Sequence, residues 1–161
     1  MLLITSSSSL MKHKLNFIPL AACMQHRDTA ALWAETEWGY IRNLGVEYRK
    51  GVMEALKNNV YMGLYANQPV AMFALLPHDT HPDAVELMYV YVDKSFRGLG
   101  FGKQIIEEAK LQAIDSNARL ILLDTLKPGL DKMYEKHGAT IVGEGRLFSH
   151  PTEILAIRLS N

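Results

Sequence analysis

The stretch that most restricts the fold is Ala84–Val92 together with the glycine-rich turn after it. Val85, Leu87, Tyr89 and Tyr91 alternate with Met88, Val90 and Val92, so the segment is apolar on both faces, with Glu86 the exception. A strand buried on both sides belongs in the middle of a sheet that other layers cover. It runs into Arg97-Gly98-Leu99-Gly100-Phe101-Gly102 and then into a helical pattern in which Gly102, Ile106, Ala109 and Ala113 share a face. Strand, glycine-rich turn and helix start make a cradle for a pyrophosphate. Glycines let the backbone close on the ligand, and the first helical turn presents unpaired N–H groups with a favourable dipole.

Two familiar phosphate loops do not fit. A Walker A loop ending at Gly102-Lys103 would have Arg97 in place of its first glycine and Gln104 in place of its Mg²⁺-binding hydroxyl. A dinucleotide fingerprint beginning at Gly98 meets Lys103 where its third glycine belongs. The pattern that remains is Arg or Gln, two residues, Gly, one residue, then Gly or Ala, met by Arg97, Gly100 and Gly102.

The elements around this unit alternate in type. Leu15 to Leu20 reads as a strand, Ala21 to Trp38 as a helix with Ala30, Ala31, Trp33, Ala34 and Trp38 on its apolar face, and Tyr48 to Asn58 as a second helix. Val60 to Ala66 and Val70 to Leu76 read as a hairpin turning at Asn67-Gln68-Pro69, and Pro77 to Pro82 as a loop. Beyond the glycines, Arg119 to Leu123 is a strand, and Leu130, Met133, Tyr134 and His137 mark a short helix stopped by Gly138. Ile141-Val142 and Ile154 to Leu159 close the chain as strands. The expectation is an α/β chain (α+β by some schemes) with a mixed sheet.

Composition removes whole classes. With 161 residues, 48% of them hydrophobic, the chain can bury about 70% of its unfolded surface, which excludes a disordered or fibrous protein. Seventeen Lys+Arg balance seventeen Asp+Glu, so there is no net field to draw it onto nucleic acid or a membrane surface. The lone Cys23 excludes an internal disulfide and a multi-thiolate zinc site, and a reducing, cytoplasmic location is expected. Residues 1–11, with Ser6 to Ser9 in a row, read as a disordered leader before one domain over 12–161, and Met11 is a second candidate start. The basic Lys12-His13-Lys14 and the stretch up to Cys23 look superficially like a lipoprotein signal, but Asn16 and Pro19 interrupt the apolar part. His78, Asp79, His81 and Asp83 sit in one loop without helical or finger spacing, so no metal site is expected.

On these residues the chain resembles the GCN5-related N-acetyltransferase (GNAT) superfamily. The family's central motif reads much like Leu87 to Gly102, and Leu122-Leu123-Asp124-Thr125-Leu126 followed by Met133-Tyr134-Glu135-Lys136-His137-Gly138-Ala139 is similar to its later strand and tyrosine-bearing helix. Lys94 stands where a proline is common and Ala139 where Phe is usual. The resemblance implies a mixed central sheet of six to seven strands with about four helices, and an acyl-CoA cleft between the fourth and fifth strands. Main-chain groups of Val90, Tyr91 and Val92 would take the pantetheine arm of acetyl-CoA, and Arg97, Gly98, Leu99, Gly100, Phe101, Gly102 and Lys103 its pyrophosphate.

Acyl transfer to an amine needs a neutral nucleophile, stabilisation of the oxyanion and a proton for the departing thiolate. Tyr134 stands where the family carries its general acid; the alternative is a core tyrosine. Glu86, a carboxylate in an apolar strand, is the candidate general base; the alternative is a glutamate that reaches solvent or pairs with a lysine. Glu35, Glu37, Glu47 and His150 are the groups expected to meet a substrate, and Trp33 and Trp38 to be core or substrate-wall aromatics. Cys23 reads as a small buried hydrophobe. The implied activity is acetyl-CoA-dependent N-acetylation of a primary amine of a small molecule in a ternary complex. Peptide or protein N-acetylation and a non-catalytic acyl-CoA-binding module stay open, as does a homodimer, common in the family.

Overall fold

The computed structural model describes residues 13–126 and 128–159. The leader expected over residues 1–11 lies outside the described residues. In chain order the elements are β1 (Asn16–Pro19), two short 3-10 turns, α1 (Arg27–Trp38), α2 (Val46–Ala55), β2 (Val60–Tyr65), β3 (Gln68–Pro77) and β4 (Ala84–Val92). A 3-10 turn at Lys94–Phe96 leads to α3 (Phe101–Asp115), then β5 (Leu120–Thr125), α4 (Pro128–Glu135), β6 (Ala139–Leu147) and β7 (His150–Arg158). The strands form one sheet in the order β1-β2-β3-β4-β5-β7-β6. Among the described residues β4 and β5 are the parallel pair, as a helical crossover between them requires, and the other neighbours run antiparallel.

The sheet is covered on both faces. On one side α3 and α4 pack Phe101, Ile105, Ile106, Ala109 and Tyr134 against Phe73, Val85, Leu87 and Ile121. On the other, α1 and α2 pack Ala30, Trp33, Ala34 and Met53 against Val60, Met62, Met72 and Tyr91. Strands β3 and β4 therefore read as near-continuous apolar runs, as strands buried on two sides must.

The fold turns on where β4 stops pairing. Its bonds to β5 cover only Ala84, Val85 and Glu86, opposite Leu120, Ile121 and Leu122. Beyond Glu86 the two strands part, while β5 stays paired to β7 over Leu120 to Thr125. At the same point β4 carries a bulge: Tyr89 and Val90 stand opposite the single Phe73 of β3. Tyr89 has φ +52°, a left-handed backbone that a bulky L-residue adopts at a cost of about 1–3 kcal/mol. A bulge adds local twist and bends its strand.

The bulge corrects the alternation expected from the sequence. Val85 and Leu87 share their face with Val90 and Val92, whereas Tyr89 and Tyr91 lie with Met88 on the α1–α2 side. The extra residue slips the period at Met88-Tyr89, so two consecutive side chains point the same way. Other differences are local. The helix expected from Ala21 begins at Arg27, because Cys23 at φ −146° kinks the chain and divides the segment into 3-10 turns. The hairpin turns at Ala66-Asn67, both at positive φ, and Gln68 and Pro69 already belong to β3. The last hairpin, β6 and β7, is longer than its apolar residues suggested, since β6 is the sheet edge and mostly exposed.

Candidate active site

The parting of β4 and β5 opens the sheet, and two cavities meet in the opening. The first, about 310 Å³, is bounded by Val90, Tyr91 and Val92 on β4, by Phe96, Arg97, Gly98, Gly100, Phe101 and Gly102 after it, and by Met133 and Tyr134 on α4. The second, about 330 Å³, lies toward α1 and α2 and is lined among others by Trp38, Tyr40, Arg42, Tyr48, Arg49, Glu86, Tyr89, Asp124 and Phe148. Glu37, Val90, Leu130 and Tyr134 line both.

The first cavity has the chemistry of an anion cradle. Gly98 and Gly100 adopt φ +82° and +85°, and a Cβ at either would meet nothing within 4 Å. The turn is therefore one that only glycine enters without strain, and it faces open space. Gly100 caps α3, whose first turn holds no acidic residue, and Gly100, Phe101 and Gly102 at its start line the cavity, with Glu37 the acidic residue on the opposite wall. Gly102 serves a different purpose: a Cβ there would lie 3.3 Å from Met133 Sδ, so its smallness lets the start of α3 approach α4, the helix that carries Tyr134. Beyond Glu86 the β5-facing edge of β4 has no strand to pair with. Two of the expected ligand groups are already engaged: the main chain of Tyr91 faces Met72 of β3, in phase with the Asp93 N–H that donates to the Val70 carbonyl, and the Val92 carbonyl accepts a 2.9 Å bond from Arg97 Nε. That bond, with the guanidinium over the Tyr91 ring at 5.4 Å, fixes the arginine at the mouth of the cradle.

Of the other residues expected there, the Phe101 side chain is buried in the core beside Tyr65, so only its main chain faces the cavity. Leu99 is exposed, and Lys103 pairs loosely with Glu107 at 3.9 Å; neither lines the cavity.

Tyr134 is 4% exposed, and burial pushes its phenol up to about 12. It stays protonated at neutral pH. Glu86 projects from β4 into the second cavity, and its carboxyl is raised above the ordinary range, first by burial and then by Asp124, with His78 opposing. Asp124, across the opening on β5, accepts a hydrogen bond from Thr152 Oγ1 at 3.1 Å.

The four expected substrate groups separate. Glu37 lines both cavities. Glu35 is taken by Arg49 Nε at 3.1 Å and faces neither cavity. Glu47 is exposed and pairs with Lys50 at 2.9 Å, also away from the opening. His150 stands one layer back, its ring edge-on to Tyr40 at 5.4 Å. Trp33 packs on Tyr91 in the core and Trp38 edge-on to Tyr89 in the cavity wall. Cys23 is buried, and burial raises its thiol. Among the described residues no cluster of His, Cys, Asp or Glu is arranged to hold a metal ion, and no helix is long and apolar enough to cross a membrane.

Sequence reasoning missed Arg49 and Arg42. Arg49 is 4% exposed on the packed side of α2; besides the Nε bond to Glu35, its Nη2 donates to the carbonyls of Trp38 at 3.1 Å and Arg42 at 3.2 Å. One buried guanidinium thus ties both ends of the Gly39-to-Arg42 turn to α2 and holds Tyr40 and Arg42 over the cavity. The only sequence signal was an arginine placed where α2 must pack.

The sequence profile of the acetyltransferase (GNAT) domain matches residues 57–138, just over half of the chain. No curated protein sequence matches. Solved structures share the fold: an aminoglycoside 6'-N-acetyltransferase complexed with coenzyme A (TM-score 0.72, 16% identity, 84% of this chain and 91% of that one), and a GNAT-family acetyltransferase from Staphylococcus aureus Mu50 (0.68, 14%, 91% and 99%). A GNAT-family acetyltransferase from Elizabethkingia anophelis with acetyl-CoA bound is also similar (0.60, 19%, 68% and 83%).

Replacing Arg49 by Met takes the guanidinium from the Glu35 carboxylate and removes one of the donors to each of the Trp38 and Arg42 carbonyls. We expect a loss of about 2 kcal/mol in denaturant unfolding, below the roughly 3–5 kcal/mol for breaking a fully buried pair because Glu35 keeps some water. An unchanged midpoint would remove Arg49 from this role.

Proposed function

The chain belongs to the GNAT acetyltransferase family, and from that premise we propose that it is an acetyl-CoA-dependent N-acetyltransferase acting on a primary amine of a small molecule. The observation that carries the reading is the junction: a cradle suited to a pyrophosphate and a second cavity suited to a small acceptor share Tyr134, Val90, Leu130 and Glu37. A cavity of about 330 Å³ favours a small acceptor over a folded protein surface.

Acetyl-CoA would supply an acyl carbon activated by its thioester and a thiolate leaving group. Pyrophosphate would be held by the amides of Gly98 to Gly102, and the pantetheine arm by the unpaired edge of β4 at Val90 and the Val92 N–H. The amine must lose one proton before attack and a second as the C–N bond forms and the C–S bond breaks. Glu86, through water, accepts the first; its raised pKa makes it a better base than an ordinary carboxylate. Tyr134 Oη serves the leaving sulfur. With its phenol at about 12 against about 8.5 for a free thiol, complete transfer from the phenol runs uphill. Its contribution is a hydrogen bond that strengthens as charge builds on sulfur, and the second amine proton passes to the departing thiolate, which leaves as the thiol.

Gly100→Glu should abolish acetyl-CoA binding in calorimetry while circular dichroism stays native, and Gly100→Ala, which carries the backbone strain without the charge, should weaken it far less. Equal affinity in parent and Gly100→Glu would remove the phosphate assignment. Tyr134→Phe should lower kcat by about 10- to 1000-fold with little change in acetyl-CoA affinity; full turnover at every pH would leave the tyrosine a packing role.

Glu86 gives a prediction in pH. The kcat/KM profile should show an acidic limb above the ordinary carboxylate value, and Glu86→Gln should lose it along with most turnover. Because the folded-state pKa is raised, the stability tied to the protonated form is present below the unfolded value and lost as pH rises through the folded one. Glu86→Gln should therefore be more stable than the parent at neutral pH. A variant no more stable there would contradict the desolvation argument.

A further inference from the structure

We propose that β6, a free edge of the sheet, pairs antiparallel with β6 of a second copy of this chain about a two-fold axis at Gly145, setting Glu144 of each copy against Arg146 of the other.

β6 ends the sheet on one side, and among the described residues no main-chain group is bonded to its outer edge. The tight hairpin tells which groups point that way. Leu147 and His150 close a turn of two residues, Phe148 and Ser149, so they exchange main-chain bonds, and the ladder alternates from there. Gly145 and Thr152 are the next bonded pair, while Arg146 opposite Pro151 and Glu144 opposite Glu153 are unbonded pairs. Pro151, with no N–H to give, falls at an unbonded place, as it must. The N–H and C=O of Glu144 and Arg146 therefore point outward, away from β7. An antiparallel copy with Gly145 opposite Gly145 meets both residues in phase: Glu144 and Arg146 of the other copy exchange their outward N–H and C=O, and their side chains stand directly opposite on one face with opposite charge. Gly145 is the unbonded pair between them, where two main chains come closest, and it has no side chain to crowd the axis. A two-residue slip in either direction would set Glu144 against Glu144 or Arg146 against Arg146, so the charges select the register.

Within one chain these charges are unused. Glu144 and Arg146 are exposed, and among the described residues neither joins an ion pair. Glu144 faces another carboxylate, Glu153, across the hairpin. The Glu153 carboxyl is held above the ordinary range, first by its hydrogen bond with Asp131, then by burial and by the charges of Asp131, Glu144 and Glu135. This face lacks a cation, and Arg146 of the second copy brings one. Edge strands that avoid partners are short, rich in lysine or broken by proline. β6 instead runs nine residues with one acid and one arginine in complementary order, and Ile141, Val142 and Phe148 are exposed at the two ends of that stretch. In the chosen register Val142 comes opposite Phe148 of the second copy. The irregularity of β6 falls between Ile141 and Gly143, outside the Glu144-to-Arg146 stretch. Leu147 and Phe148 also line the second cavity, so the pairing seats the second copy beside one wall of it.

Sedimentation equilibrium on the full chain over a range of concentrations reads the association. It should give twice the chain mass at the high end, with the dimer weakening as salt is added. E144R sets arginine against arginine, and R146E sets glutamate against glutamate, so each alone should raise the dimer Kd about tenfold or more. An equimolar mixture of the two variants should associate as the parent does, and the double variant E144R/R146E, in which the charges are exchanged, should recover as well. Both positions are exposed, so circular dichroism should stay native throughout. A single-chain mass at every concentration overturns the self-pairing and leaves the edge to a strand of some other protein. A dimer that neither single change weakens, or one that is not recovered in the mixture and the double variant, puts the contact on another face and overturns it equally.

Discussion

Two parallel strands that pair for three residues and then separate set the positions of everything else in the molecule. Backbone N–H and C=O groups buried in a sheet must find partners, so an unpaired central edge is a cost. Here the cost is localised by the bulge at Tyr89, which turns β4 away from β5 while β4 keeps its bonds to β3 on the other side. The exposed edge then becomes a place where an extended ligand can supply the missing partners. The glycine turn and the start of α3 lie directly downstream in the chain, so the same separation sets the amide cradle at the end of that edge.

A second constraint works from the opposite face. The turn between α1 and α2 closes on a few backbone bonds, Ile41 N–H to the Trp38 carbonyl and Leu44 N–H to the Arg42 carbonyl among them, and the buried Arg49 reinforces it by gripping the same two carbonyls. Tyr89 is packed from the same direction by Trp38. The strained residue of the bulge and the wall of the second cavity are thus braced by one group of side chains, which couples the shape of the cavity to the opening in the sheet.

Legibility in the sequence depended on whether a feature leaves a periodic trace. The central strand Ala84–Val92 and the glycine turn were visible because burial on both faces and positive φ select residue types directly. The bulge was not, since Tyr89 occupies a left-handed position without being glycine and its side chain fits either face. Glu86 could be named from its place in an apolar strand and Tyr134 from the family resemblance, and both line the second cavity. Glu35 and Glu47 were named because they are acidic residues on the first two helices; sequence does not reveal that Arg49 would sequester one and that the other would point to solvent. Arg42 lies in a seven-residue stretch between helices, Gly39 to Gly45, where no period exists to read.

If the opening between β4 and β5 delivers an acetyl group to a small amine in the adjoining cavity, transfer can be followed without knowing the acceptor. The purified chain is incubated with isotope-labelled acetyl-CoA and a cell extract, and small molecules are then separated from protein. Label should appear in the small-molecule fraction only when the chain is present, with the acceptor identified by its mass. Label confined to the protein fraction, or absent from both, would contradict delivery to a small amine.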